Sequence, residues 1–139
     1  MESARFAIDS DQIFYLEHLP TLDGLLKAGL TVFVDKDFKK YHDMTLTQYA
    51  IAKRKPNTLR FLLQKSKDLK ISDHDILLPK TSNTRSGLLK LAVEFGSKDF
   101  YDNVDNSCLN IVIEVFQTTI EEESKYTETP LALAIEKKK

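Results

Sequence analysis

Few residues in this chain could cross-link it or make it flexible. It has one cysteine, four glycines, four prolines and no tryptophan in 139 residues. The single cysteine, Cys108, excludes an internal disulfide framework and is typical of a reducing compartment. The scarcity of glycine and proline excludes long flexible linkers. The sequence therefore predicts one intracellular domain, located in the cytoplasm, or in the host cytoplasm if the source is a pathogen.

Neither the charge nor the hydropathy of the chain predicts a nucleic-acid or membrane partner. The net charge is −1, so no overall positive field attracts phosphates. No run approaches the roughly 18 apolar residues of a transmembrane helix, and the first residues lack the order of a signal peptide. The basic runs 53–55 and 137–139 are either phosphate contacts or solvated helix ends, and their balance by acidic residues favours helix ends. We expect neither nucleic-acid binding nor membrane insertion.

Three segments of the chain share one pattern at a spacing of 42 residues. They are TLTQYAIAKRK (45–55), GLLKLAVEFGS (87–97) and TPLALAIEKKK (129–139). Each places an alanine between a large apolar residue and a β-branched one, at Ala50, Ala92 and Ala134. This pattern predicts a short helix that packs closely against an equivalent neighbour.

A second helix is predicted in each unit. PNTLRFLLQK (56–65) and PTLDGLLKAG (20–29) both place proline in the first helical turn, followed by one apolar face. SDQIFYLEH (10–18) is then the predicted first helix of the earliest unit, and SKDFYDNVDN (97–106) the second helix of the third. Long loops are predicted at roughly 27–44, 64–86 and 105–128.

Two β-prone stretches, LTVFV (30–34) and CLNIVIEVF (108–116), lie in the predicted loops. Periodicity does not distinguish strand from helix for the second stretch. We favour a helix in its first half.

These units resemble the ankyrin repeat. Thr129, Pro130 and Leu131 match the opening of that repeat, Gly96 matches its turn glycine, and LLKAG (25–29) matches its closing leucine pair and cap. The resemblance implies an all-α fold, a short solenoid of helix-turn-helix repeats with long connecting loops. The single domain (1–139) is predicted to contain units at roughly 10–43, 44–85 and 86–127 and a half unit at 128–139.

The sequence also departs from the ankyrin pattern. The spacing is about 37 and then 42 residues, against about 33 in the family. Gln48, Lys90 and Ala132 stand in place of its histidine, and Arg54 stands at a turn glycine. Another solenoid of helical hairpins therefore remains an alternative.

No sequence motif predicts an enzyme, a cofactor or a metal site. The three histidines share no metal-ligand spacing with the lone cysteine, and no nucleotide-binding or nucleophile motif occurs. SDHD (72–75) is either a divalent-ion or base site, or a capped helix start before Ile76, and we favour the helix start. We expect a chain without catalytic activity, cofactor, metal or small-molecule substrate.

The ankyrin resemblance implies a protein–protein interaction module whose concave surface is formed by loop tips and first helices. The contact positions carried over to this sequence are Tyr41, His42, Met44, Lys53, Asn83, Ser86, Glu94, Phe95, Lys125, Tyr126, Glu128 and Lys137. Tyr41, Phe95 and Tyr126 are the expected apolar anchors, although Phe95 fits a core position equally well. The alternative function is a non-catalytic targeting or adaptor segment of a larger bacterial or viral effector or enzyme.

Overall fold

The computed structural model describes residues 2–29, 31–33, 43–78, 87–97 and 106–124. These residues form eight α-helices and two short strands. The helices are α1 (Glu2–Asp9), α2 (Ile13–Glu17), α3 (Leu22–Ala28), α4 (Leu46–Ala52), α5 (Pro56–Asp68), α6 (Asp73–Leu77), α7 (Leu88–Ser97) and α8 (Ser107–Ser124). The strands, β1 (Thr31–Phe33) and β2 (Asp43–Thr45), pair antiparallel with Val32 opposite Met44. The predicted all-α class is confirmed for the described residues.

Six of the eight described helices pack as three pairs, and the pairs stack in two rows. α1 packs against α2, α4 against α5, and α7 against α8. α4 contacts both α1 and α7, so these three helices form the first row. α5 contacts both α2 and α8, so these form the second row. The α4–α5 pair is therefore the middle pair, covered on both sides.

Helix α4 begins with reciprocal hydrogen bonds between Thr45 and Gln48. The backbone N–H of Gln48 donates to Thr45 Oγ1 over 3.3 Å, and the backbone N–H of Thr45 donates to Gln48 Oε1 over 2.9 Å. Each bond satisfies a donor that the helix itself leaves unpaired. The threonine that opens the repeated pattern is thus the N-cap of α4. The predicted helices at 45–55, 56–65 and 87–97 are all present.

The same turn joins the two helices of the first pair and of the middle pair. Asp11 and Arg54 both adopt left-handed backbone conformations, with φ of 54° and 57°. The N–H that follows each turn residue bonds back to the carbonyl of Ala7 (2.8 Å) and of Ala50 (2.9 Å), respectively. This is the Schellman motif that ends many helices. Because both alanines precede equivalent turns, α1 is the counterpart of α4.

This equivalence corrects the predicted register of the first unit. The predicted first helix at 10–18 contains α2, which lies in the second row, whereas α1 occupies the first row. The signal was present, since Phe6-Ala7-Ile8 has the same pattern as Tyr49-Ala50-Ile51. The first unit therefore begins near residue 2 rather than at residue 10.

The predicted loops after the middle and third units also need correction. Residues 64–86 contain the end of α5 and all of α6, and residues 105–128 contain α8. The segment 108–116 lies within α8 and is helical up to a bend at Phe116, and α8 packs on α7 as the second helix of the third pair. Most of the helix predicted at 97–106 and the whole half unit at 128–139 lie outside the described residues.

The core lies between the two rows and includes all seven residues of α4. Even the polar Thr47 and Gln48 of this helix are buried. Helices α1, α5 and α7 and both strands pack around α4. The first helix of the middle pair therefore presents no exposed face, which differs from the predicted concave surface.

Ala92→Leu is expected to destabilise the protein by about 1–3 kcal/mol because added methyl groups overpack a tight contact. Ala92 is 2% exposed on α7, in the row where α7 meets α4. Ala28→Leu at the exposed end of α3 is the matched control and should change little. Urea unfolding of the three proteins measures the difference. Equal midpoints for all three would show that no close contact exists at Ala92.

Candidate functional site

Four of the predicted contact residues lie in the described part of the chain, and two of these are in the core. Met44 is 0% and Phe95 6% exposed, so neither side chain is available to a partner. Met44 is buried on a strand that packs on α4, and Phe95 is buried on α7. Lys53 and Glu94 are half-buried. The predicted residues outside the described part are Tyr41, His42, Asn83, Ser86, Lys125, Tyr126, Glu128 and Lys137.

Lys53 belongs to a polar cluster that joins α4 to α1. Its Nζ lies 3.9 Å from Asp9 Oδ1 and 5.7 Å from the centre of the Tyr49 ring. The Tyr49 hydroxyl donates to the same Asp9 oxygen over 2.6 Å. Burial, and then the hydrogen bond and charge of Asp9, raise the pKa of Tyr49 well above its ordinary value, while Arg5 acts in the opposite direction. The cluster holds the first two pairs together.

The turn residues Asp11 and Arg54 each link their own pair to the next one. Thr58 Oγ1, buried on α5, donates to Asp11 Oδ1 over 2.6 Å. Arg54 Nη2 donates to the backbone carbonyl of Phe95 on α7 over 3.0 Å. A left-handed turn normally favours glycine, but glycine has no side chain to make these bonds. The bonds give a reason for non-glycine residues at both turns.

The acidic cluster at 72–75 is used to position α6. The Ser72 side chain accepts a hydrogen bond from the backbone N–H of Asp75 over 3.2 Å and so caps the helix. Asp73 accepts from Thr119 Oγ1 of α8 over 2.7 Å and lies 3.8 Å from Lys67 Nζ. In the residues that the structure describes, no group of three or more His, Cys, Asp or Glu side chains could hold a metal ion. The helix-start interpretation therefore fits this segment.

Lys67 also supports a bend in α8. The backbone of Phe116 leaves the helical region, with φ −115° and ψ 20°. Lys67 Nζ donates to the carbonyl of the preceding Val115 over 3.1 Å and lies 5.1 Å from the centre of the Phe116 ring. A cation is favourable beside carbonyl groups that a helix leaves exposed. Lys67 thus stabilises the bend and ties α5 to α8.

Three aromatic side chains of the first pair face solvent. Phe6 on α1 is 64% exposed, and Phe14 and Tyr15 on α2 are 73% and 46% exposed. On α2, Phe14 is spaced three and four residues from Glu17 and His18, so the three side chains share one side of the helix. The Phe14 and His18 rings meet edge to face, with centroids 4.3 Å apart.

We name Phe14, Tyr15, Glu17 and His18 the α2 face; the glutamate and histidine are also exposed. Leu16, fully buried, points away from it into the core. The sequence contained a signal for this face, because IFYL places four apolar residues in a row on a short helix. One buried stripe cannot accept all of them.

No protein-family model, curated protein or solved structure matches the chain. Within the described ranges, none of the helices is both long and apolar enough to cross a membrane.

Proposed function

We propose that the protein is a non-catalytic protein-interaction module, built as a short solenoid of helical pairs that resembles ankyrin repeats. The stacking of three pairs in two rows and the shared turn of the first two pairs support this architecture. The polar clusters described above also support it, because each of them links one helix to another.

The exposure of Phe6 and Phe14 is the observation that carries the proposed function. Both side chains leave well over half of their surface in water, on helices that pack against each other. Each Å² of apolar surface removed from water contributes about 25 cal/mol, so a partner that covers these rings gains affinity. Aromatic residues are also enriched among the anchors of protein interfaces. A partner protein is the ligand that can cover side chains on two helices together.

The proposed binding surface differs from the one expected from the ankyrin resemblance. That surface used the first helices of every unit, whereas α4 is buried on all sides. We therefore place the main contacts on the exposed side of α1 and α2. Tyr41 and Tyr126, which lie outside the described residues, remain proposed contacts.

The proposed function is tested by removing the exposed rings. The double variant Phe6→Ser and Phe14→Ser is compared with wild type and with Leu78→Ser, which removes another apolar side chain, 50% exposed, from the C-terminal end of α6. In affinity capture from a cell lysate, proteins held by wild type and by Leu78→Ser are expected to be lost from the double variant. Circular dichroism and thermal unfolding verify that the fold is kept. Identical captured proteins for a folded double variant would contradict the proposal.

A further inference from the structure

We propose that the α2 face binds a cationic segment of a partner protein, with a lysine or arginine side chain seated between the Phe14 ring and the Glu17 carboxylate. This inference rests on the proposed function and specifies the chemistry of the partner. It follows from the negative charge of the segment that carries the α2 face and from its exposed aromatic rings. Two contacts elsewhere in the protein, each with a lysine placed between an aromatic ring and an oxygen, support it.

The segment that carries the α2 face, residues 2–29, is acidic. Residues 2–29 contain five acidic and two basic residues, a net charge of −3, whereas the whole chain has a net charge of −1. Asp9, Asp11 and Asp23 are engaged within the protein, by Lys53, Thr58 and Lys65 respectively. Glu17 is exposed and has no cationic partner among the described residues. Of these four carboxylates, that of Glu17 is therefore the one without a partner among the described residues.

The described residues contain two examples of a cation placed between an aromatic ring and an oxygen. Lys53 lies over the Tyr49 ring and beside the Asp9 carboxylate. Lys67 lies over the Phe116 ring and beside both a backbone carbonyl and a carboxylate. In each case the ring face and the oxygen attract the same ammonium group. Both contacts join neighbouring helices, so this arrangement already serves for packing in the fold.

The α2 face has the ring and the carboxylate of such a contact but no lysine or arginine of its own. Phe14 and Glu17 are three residues apart on one helix, which places their Cβ atoms roughly 5–6 Å apart. A single lysine or arginine side chain from outside can reach both groups at that separation. Tyr15 and Phe6 add exposed apolar surface for neighbouring residues of the same segment. A segment with acidic side chains would instead be repelled by Glu17.

The test uses two synthetic amphipathic peptides of identical length and apolar positions, one with lysine and one with glutamate at every charged position. Each is titrated into the full-length, isotope-labelled chain at low salt, and amide shifts give the site and the affinity. We expect the lysine peptide to shift the signals of residues 14–18 and to bind at least about tenfold more tightly than the glutamate peptide. Glu17→Lys should abolish that preference, and Phe14→Leu should reduce it while keeping an apolar side chain.

A matched control and three outcomes make the result decisive. Glu122→Lys reverses an exposed charge on α8 and should leave the peptide preference unchanged. Equal binding of both peptides would overturn the cation inference but leave the proposed function standing. If neither peptide shifts residues 14–18, the inference fails, whereas the proposed function is still decided by the capture experiment. A third outcome is that the amide shifts at the α2 face depend on protein concentration and that the protein forms a dimer which Phe14→Ser abolishes. The α2 face would then bind a second copy of this chain, and this would also overturn the cation inference.

Discussion

Gly87→Ala is expected to destabilise the protein by about 3 kcal/mol or more, at or beyond the upper end of the usual range for overpacking. A Cβ atom at this position would lie 2.7 Å from the backbone oxygen of Leu77 and 2.8 Å from Leu78 Cδ2. The Leu78 side chain is exposed and can rotate away. The Leu77 carbonyl can move only if the end of α6 moves away from the start of α7. The whole α6–α7 contact is therefore strained by one methyl group.

Gly24→Ala provides the matched control, because it is expected to stabilise the protein rather than destabilise it. Gly24 is exposed inside α3, and an added Cβ would meet no atom within 4 Å. Alanine is favoured over glycine in helix interiors, so this variant should gain about 0.5–1 kcal/mol. Urea unfolding of wild type and both variants gives the two differences. Similar stabilities for the two variants would show that Gly87 is not closely packed against α6.

The second large expected effect is a loss of folding stability above about pH 10 that is caused by Tyr49. Burial and the neighbouring Asp9 raise the pKa of Tyr49 in the folded protein, whereas a tyrosine in the unfolded chain ionises near pH 10. Below that pH both states keep the proton and the stabilisation is complete. As the pH rises further, only the unfolded state releases its proton, so the free energy of unfolding falls. The slope approaches about 1.4 kcal/mol per pH unit until the folded state also ionises.

Tyr49→Phe is expected to remove this part of the pH dependence. At neutral pH the variant should also lose about 1–3 kcal/mol because the hydrogen bond to Asp9 is gone. The measurement is the free energy of unfolding of wild type and variant between neutral and strongly alkaline pH. Tyr15→Phe, at an exposed tyrosine, serves as control and should follow wild type. If Tyr49→Phe also follows the wild-type slope, ionisation of Tyr49 is not responsible.

Both helices of the middle pair and the first helix of the third pair could be predicted because local signals agree with the tertiary packing. Thr45 is a strong N-cap, Pro56 fits a first helical turn, and the apolar periodicity of these helices is regular. The first pair is predicted in the wrong register because the proline signal lies at Pro20, whereas its second-row helix, α2, begins at Ile13 without a proline. In a single sequence, a left-handed aspartate gives no sign that it ends a helix, since its hydrogen bond to Thr58 forms only after packing.

The segment 108–116 shows a second limit of sequence patterns. Its apolar residues are almost continuous, so a helix and a strand are equally compatible with them. In the structure Val112, Phe116 and Ile120 are all buried, at four-residue spacing, in a helix that packs on both α5 and α7. The neighbouring helices therefore decide the conformation of this segment, and periodicity within it does not.

The candidate site could be predicted less well than the fold. The ankyrin resemblance implies partner contacts at Met44 and Phe95, but a large apolar side chain fits a core position as well. Packing of the strands on α4 leaves Met44 without exposure. The sequence predicts Phe14 and Tyr15 within a first helix at 10–18, without indicating which of its side chains are buried. They are exposed because Leu16 alone of this helix is fully buried in the core.

The two turn residues limit how the chain could evolve by rearranging its units. Asp11 accepts a hydrogen bond from a threonine of the next pair, whereas Arg54 donates one to a backbone carbonyl of the next pair. Asp11 therefore depends on a hydroxyl group of the next pair, whereas Arg54 needs only a backbone carbonyl, which every residue supplies. A rearrangement that removed the threonine beside Asp11 would leave its carboxylate without this donor. We expect recombination between units to require a new turn residue at the Asp11 junction but not at the Arg54 junction.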